Sequence, residues 1–500
     1  MSEAVHVLID GKLRPADASD TFRAANPTTG DAIGPAFPVS KWSDLDAALD
    51  AAVTAFDQLD GGDPNAVASF LDDYADRVAD DAEALAEIAS EETALPAPTR
   101  LQSVEIPRTC NQMRLSAAAA RDGAWALPTI DAEAGCRSMH VPIGPVAIFG
   151  PNNFPFAYNA ISGGDFAAAI AAGNPVIAKS HPLHPQTTRR LAEHAKAALD
   201  AGDLPLATVQ LLYHFGNEDG LKLAGDARLA AIGFTGSRGG GLALKAAADA
   251  VGTPTYLEMS SVNPVVLLPA ATAARHAEIA EQYATSCTLG VGQFCTNPGL
   301  VLTVADDAAE AFIADVAKRF DDTAPGTLFG TESADHLLAA IGKLTGAGAT
   351  LVTGGDRVGP ASVQNTLLRT TGTNFLADPA TLQTEAFGPA GLVVTCADID
   401  ELLACLAEIE GNLTGSIYAD AADPYDAVER RLRRRVGRLI NEKMPTGVAV
   451  SPAMNHGGPY PSTGHAGFTA VGPPATLRRF SQLRCYDNVA QDRLPAALRD

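Results

Sequence analysis

Four short apolar runs constrain this chain more than any other feature: VPIGPVAIFGP at 141–151, NPVIAK at 174–179, TVQLLY at 208–213 and AAIGFTG at 230–236. Runs this short with so little polar interruption read as strands covered on both faces. Between them lie alanine-rich stretches of helical spacing. Strand and helix alternating in this way predict βαβ units and a parallel, doubly wound sheet, an architecture that commonly binds nucleotides.

The alternation starts again after Glu258, with NPVVLLP, a helix to about Cys287, GLVLTVA, a helix to Phe320, then ATLVTGG and GLVVTCA. Two α/β halves joined near residue 258 are therefore expected. Upstream, VHVLIDGKL and TFRAANPTTG read as short strands punctuated by turns. From Asp44 to about Leu85 the spacing becomes helical, as in DLDAALDAAVTAF. Near the C-terminus, RRFSQLRCYDNV reads as an appended strand. No period of about 20 to 50 residues marks a repeat protein.

Five hundred residues exceed what one compact core accommodates. With 46% hydrophobic and 19% charged residues, the chain has ample apolar material to fold. Its 36 Lys and Arg face 59 Asp and Glu, a net charge of -23, which repels nucleic-acid phosphates and anionic lipid, so neither is an expected partner. Such an excess suits a salty cytoplasm, where charges are screened, as well as an ordinary acidic enzyme. The seven cysteines are scattered, odd in number and contain no CxxC pair, which points to reduced thiols and away from a disulfide framework or metal site. The segment MSEAVHVLID has no basic or apolar leader region, and no apolar run approaches the ~18 residues of a membrane span. A cytoplasmic protein is expected.

One of these cysteines stands apart. GQFCTNPG at 292–299 sets Cys295 between Phe294 and Thr296 in a glycine-flanked segment too polar for core. A lone cysteine is more often a small buried hydrophobe than a nucleophile, so its context decides. That context is PNNFP (151–155), NPVIAK (174–179), GFTGS (233–237), LEMSSVNP (257–264), EAFGP (385–389), and PTGV with GGPYP near the end. In this order, over nearly the whole chain, these motifs resemble the aldehyde dehydrogenase superfamily. GGD at 163–165, HPLHP at 181–185 and PTGV followed by HGGPYP place the resemblance nearest to the group of 2,5-dioxovalerate (α-ketoglutaric semialdehyde) dehydrogenases and NADP-dependent fatty aldehyde dehydrogenases.

The resemblance implies an α/β fold with two doubly wound parallel-sheet domains and a small β flap for oligomerisation. Residues 1–126 and 145–257 would bind the dinucleotide, 258–447 would carry catalysis, and 127–144 with 480–500 would form the flap of a homodimer or homotetramer. It implies oxidation of a small-molecule aldehyde to a carboxylic acid through a thiohemiacetal and a thioester, with no metal.

The residues make chemical sense in those roles. A planar aldehyde carbon releases hydride only after a nucleophile has made it tetrahedral, and the Cys295 thiolate would supply that adduct. Gly292 and Gly299 would let backbone approach the substrate. Cys287, among apolar residues at helical spacing, reads as packing. The resemblance assigns the oxyanion to the Asn153 amide and the backbone N–H of Cys295, and thioester hydrolysis to Glu258 as general base, whose neighbours Leu257 and Met259 would raise its pKa.

GFTGSRGGG follows a strand and opens a helix, a seat for a pyrophosphate without the GxGxxG pattern. The resemblance sets Gly236, Ser237, Glu385 and Phe387 against the cofactor, with Lys179 reaching the adenine ribose. Pro182 stands three residues after that lysine, where NAD-preferring relatives often carry a glutamate that would repel a 2′-phosphate. NADP is therefore preferred, with NAD possible, although GNEDG at 216–220 is acidic where a phosphate clamp would sit. For the substrate, Arg108 and Arg114 on a predicted helix are candidate partners of a carboxylate, and Phe156 and Phe294 are expected to wall the tunnel. The substrate read first is 2,5-dioxopentanoate, oxidised to 2-oxoglutarate. The alternatives are a medium- or long-chain aliphatic aldehyde and, in another class, a catalytically silent structural homologue.

Overall fold

The computed structural model describes residues 4–500. Two seven-stranded sheets organise it. In the first, the strands run Thr255–Glu258, Ala231–Thr235, Val146–Phe149, Val176–Lys179 and Val209–Leu212, all parallel, and the antiparallel hairpin Val7–Ile9 and Lys12–Arg14 closes one edge. These are the apolar runs of the sequence. The residues Val146, Val176, Val209, Ala231 and Ile232 are solvent-excluded because helices cover both faces.

Chain order reverses around Val146–Phe149: the next two strands are laid down on one side of it and the following two on the other. Connecting helices leave opposite faces at such a point, and a crevice opens at the carboxyl ends of the strands. Lys179 ends one strand and Glu258 another, Asn153 lies just beyond a third, and Gly236 and Ser237 follow the fourth.

The second sheet begins at Val265, seven residues beyond the end of the first. Its order is Thr350–Thr353, Thr366–Thr371, Ala390–Cys396, Leu300–Val304, Val265–Leu267, Asn412–Tyr418 and Val436–Asn441, parallel except for the first strand. NLTGSIY at 412–418 carries Asn, Thr, Gly and Ser and shows no apolar run, yet it is buried throughout, between Val265–Leu267 and the edge strand Val436–Asn441. A third, antiparallel sheet joins Thr129–Asp131, Cys136–Pro142 and Ser481–Asp487. Its outer strands are largely exposed, and Leu483 is 65% accessible.

Among the described residues no helix is long and apolar enough to cross a membrane. All seven cysteines are free thiols. Cys287 is solvent-excluded within the helix Pro269–Thr288.

Candidate active site

Cys295 is carried by the loop that enters the second sheet at Leu300. Side-chain amides hold this loop. Asn263 donates to the carbonyls of Cys295 and Asn297, each at 2.9 Å, while Asn412 accepts the N–H groups of Val262 (2.8 Å) and Asn263 (3.0 Å). Gln293 accepts the Phe329 N–H at 3.0 Å. The polar strand 412–418 is thereby explained in part, since Asn412 braces the nucleophile loop from beneath.

Gly292 has φ +66°, and a Cβ there would stand 2.1 Å from the Gly388 carbonyl oxygen. Only glycine permits that approach. Its partner is thus the EAFGP loop and not the substrate, as the sequence suggested. Gly299 likewise faces protein, with the Val262 carbonyl 3.4 Å from the ideal Cβ.

The first sheet brings Asn153 to the same place: its Nδ2 donates to the Gln293 carbonyl at 3.1 Å, two residues before the cysteine, and the side chain is 6% exposed. Glu258 is also buried, and its Oε2 has no hydrogen-bond partner among the described residues. Between Glu258 and Cys295 lies a residue to which the sequence reading assigned no role. His456 Nε2 is 3.4 Å from Cys295 Sγ and 3.1 Å from Glu258 Oε1, and its backbone N–H donates to Thr469 Oγ1 at 3.1 Å. The available signal was the HGGPYP motif that opens with this histidine. An imidazole between thiol and carboxylate can carry a proton either way. Burial, and next the Glu258 carboxylate, push the Cys295 thiol well above its ordinary value.

An aromatic wall runs from the cysteine. Phe294 packs edge-on against Phe154 at 5.4 Å between ring centroids, Phe154 against Tyr158 at 5.1 Å, and Tyr158 against His456 at 5.8 Å. Phe156, expected to flank the site, is fully buried in the core of the first half, with its N–H donating to Glu105. Phe154 replaces it, because the turns after Pro151 direct one of the two phenylalanines inward and the other to the cleft.

The two candidate arginines separate. Arg114 forms a surface pair with Asp76 at 2.6 Å, with 47% of its side chain exposed, and this corrects the expectation that it meets the substrate. Arg108 does face the site. Its donors are committed, however: Nε to Gln112 at 3.1 Å, Nη1 to the Val448 carbonyl, and Nη2 to the Tyr158 hydroxyl at 3.3 Å.

On the cofactor side, Gly236 and Ser237 lie exposed in the turn between a strand and the helix Arg238–Asp249, with Ser237 Oγ capping the helix by accepting the Gly240 N–H at 3.3 Å. Lys179 has neither a hydrogen bond nor an ion pair among the described residues, and burial lowers its pKa to about 8. Nearby, His214 Nδ1 is buried with no hydrogen-bond partner among the described residues. Pro182 and Phe387 are partly buried. Burial raises Glu385 to about 7, against hydrogen bonds from the Ser260 side chain and the Ser261 backbone. An unpaired cation and an open turn at a helix N-terminus, both at the carboxyl edge of the first sheet, with the Glu385 carboxyl, are a set that fits a dinucleotide's ribose and phosphate groups.

Residues 14–484 match the aldehyde dehydrogenase family, and the chain belongs to it. It is an oxidoreductase that oxidises an aldehyde to a carboxylic acid with a nicotinamide cofactor. Among its relatives are alpha-ketoglutaric semialdehyde dehydrogenase 2 of Azospirillum brasilense, 39% identical over 97% of this chain and 94% of the relative, and alpha-ketoglutaric semialdehyde dehydrogenase of Acinetobacter baylyi, 34% identical with the same coverage. The fold is similar to that of aldehyde dehydrogenase C of Pseudomonas syringae, solved as a Cys-to-Ala mutant with NAD+ and octanal: TM-score 0.82, 21% identity, 98% of this chain and 97% of that one.

Proposed function

We propose that this aldehyde dehydrogenase converts 2,5-dioxopentanoate to 2-oxoglutarate and prefers NADP to NAD. The observation that carries the substrate is the 39% identity, over 97% of the chain, with a protein named for that semialdehyde. The coenzyme preference rests on Pro182 and on a Lys179 that no carboxylate neutralises among the described residues.

The geometry supports the following roles. Cys295 gives its proton to His456, whose ring Glu258 orients. The sulfur bonds to the aldehyde carbon, and the carbonyl oxygen takes the negative charge. One N–H of the Asn153 amide is engaged by the Gln293 carbonyl, which orients the other toward that oxygen beside the backbone N–H of Cys295. A nicotinamide bound in the cleft supplies the hydride acceptor, with Gly236, Ser237, Lys179, Glu385 and Phe387 as the residues that would hold it. Loss of hydride leaves a thioester on Cys295. Glu258 then takes a proton from water, the hydroxide adds to the acyl carbon, and the carbon–sulfur bond breaks to release the acid and return the thiolate.

The exposed outer strands of the small sheet, with Leu483, Ile130 and Leu127 each more than 40% accessible, support a homodimer or homotetramer formed through that sheet. A cytoplasmic location belongs to the same reading.

Initial rates with 2,5-dioxopentanoate and hexanal, each with NADP and NAD, test it. The expected outcome is the highest kcat/KM for the dioxo acid with NADP. Hexanal turning over more efficiently would move the function to aliphatic aldehydes, a reading that the aromatic wall of Phe154, Phe294 and Tyr158 favours. No reduced nicotinamide with any aldehyde, from protein that binds the coenzyme, would leave a silent homologue.

A further inference from the structure

A dioxo acid bound with its aldehyde at Cys295 must place a carboxylate elsewhere in the cleft, and Arg114 and Arg108 are respectively too distant and already engaged. A third arginine is better placed. Arg100 lies in the π-helical segment Ala97–Glu105, which runs directly into the helix Ile106–Asp122. Its guanidinium covers the faces of Phe154 at 4.7 Å and Phe294 at 5.5 Å. Those rings are the chain neighbours of Asn153 and Cys295, so Arg100 stands at the end of the aromatic row opposite His456.

Its partners are unequal. Nη1 donates to Glu105 Oε2 at 2.7 Å, and the other oxygen of Glu105 is occupied by the N–H groups of Phe156 (2.9 Å) and Ala157 (3.0 Å). Nε is buried and has no acceptor among the described residues. Leaving a buried donor unmade is costly, and Arg479 Nη1 is the one other guanidinium nitrogen left so among the described residues. A guanidinium fixed by one ion pair and two rings, with a buried donor to spare, is prepared for a second carboxylate. The aldehyde and carboxylate carbons of 2,5-dioxopentanoate are four carbon–carbon bonds apart, about 5 Å when extended, and the rings that Arg100 covers belong to the residues next to Asn153 and Cys295.

We propose that Arg100 is the residue that recognises the distal carboxylate of the substrate, an assignment that rests on the dioxo-acid reading above. The ligand class it selects is an aldehyde ending in a carboxylate about four carbons away.

The test compares kcat/KM for 2,5-dioxopentanoate with kcat/KM for pentanal, equal in chain length but uncharged, in the wild type, Arg100→Lys and Arg100→Met. The lysine keeps a cation for Glu105 and lacks the Nε donor, so it guards against a variant that fails to fold. We expect the wild-type selectivity ratio to fall roughly 10- to 100-fold in Arg100→Lys, through KM for the acid, the loss of a charge-assisted hydrogen bond, and further in Arg100→Met. An unchanged ratio in both variants, beside a wild type that strongly prefers the acid, would overturn the role of Arg100 while leaving the substrate intact. A wild type with no preference for the acid would refute the substrate and this assignment together.

Discussion

The cleft is built from two regions treated in opposite ways. Where the first sheet faces the cofactor side, polar groups stand without partners: Lys179 has no counter-charge and His214 Nδ1 no hydrogen bond among the described residues, while Gly236 and Ser237 lie open. Around Cys295, at the second sheet, nearly every segment is tied. Asn263 and Asn153 bind the loop through its backbone, Asn412 fixes Asn263 in turn, the Gln293 side chain ties the loop to Phe329, and Gly292 packs on Gly388 too closely for any side chain. Groups that a ligand will satisfy are left open, and groups whose positions set a transition state are held beforehand. Substitutions on the tied side should therefore strike kcat, and those on the open side KM.

The largest effect is expected from Cys295→Ala, which should abolish the appearance of reduced nicotinamide while cofactor affinity, followed by fluorescence titration, stays near the wild-type value. Normal turnover in this variant would end the assignment of the nucleophile. Glu258→Gln should still transfer hydride, giving one rapid equivalent of reduced cofactor per site and then a stall as thioester, visible by mass spectrometry of the quenched protein. The same variant carries a pH test. The Glu258 carboxylate raises the Cys295 thiol, so its removal should lower that pKa and shift the iodoacetamide alkylation profile to lower pH, with about tenfold faster reaction at neutral pH for each pH unit of displacement. A profile that does not move, or moves upward, would show that the carboxylate does not act on the sulfur.

Asn153→Ala should reduce kcat by about 10²–10³-fold, the usual effect of losing one oxyanion donor, with KM for the cofactor little altered. A change confined to KM would place Asn153 on the open side of the cleft. Lys179→Met should raise KM for NADP by roughly tenfold and leave kcat within a small factor, as a lost phosphate- or ribose-binding contact would. Because burial lowers this lysine's pKa to about 8, its charge is present below that pH and is lost as pH rises through it. The wild-type KM for NADP should accordingly climb above pH 8, and the climb should vanish in Lys179→Met. Smallest of all, Arg114→Ala breaks an exposed pair with Asp76 and should change stability by less than about 1 kcal/mol, with kinetics unaltered.

Much of this was legible along the chain. The apolar runs that became Val146–Phe149, Val176–Lys179, Val209–Leu212 and Ala231–Thr235 could be read because strands covered on both faces need continuous apolar side chains. The strand Asn412–Tyr418 could not, since Asn412 is matched by partners supplied from elsewhere, Ser261 and the backbone at 262–263, while the Thr414 and Ser416 hydroxyls are buried with no partner among the described residues. Phe154 and Phe156 are indistinguishable in FPF, and only the turn that follows Pro151 determines which ring meets Phe294. Arg108, Arg114 and Arg100 lie within fifteen residues of one another, yet one braces the Val448 segment, one binds a surface acid and one stacks beside the cysteine loop.

What the sequence determined by itself was the alternation of apolar strands and helices, the family, and the short motif that presents Cys295, because each depends on periodicity and on chemistry within a few residues. What only the tertiary structure decided was the company that cysteine keeps. His456 is 161 residues away in the chain, and Glu258 belongs to the other sheet. They converge because the packing of two covered sheets sets the separation of side chains that share no local periodicity.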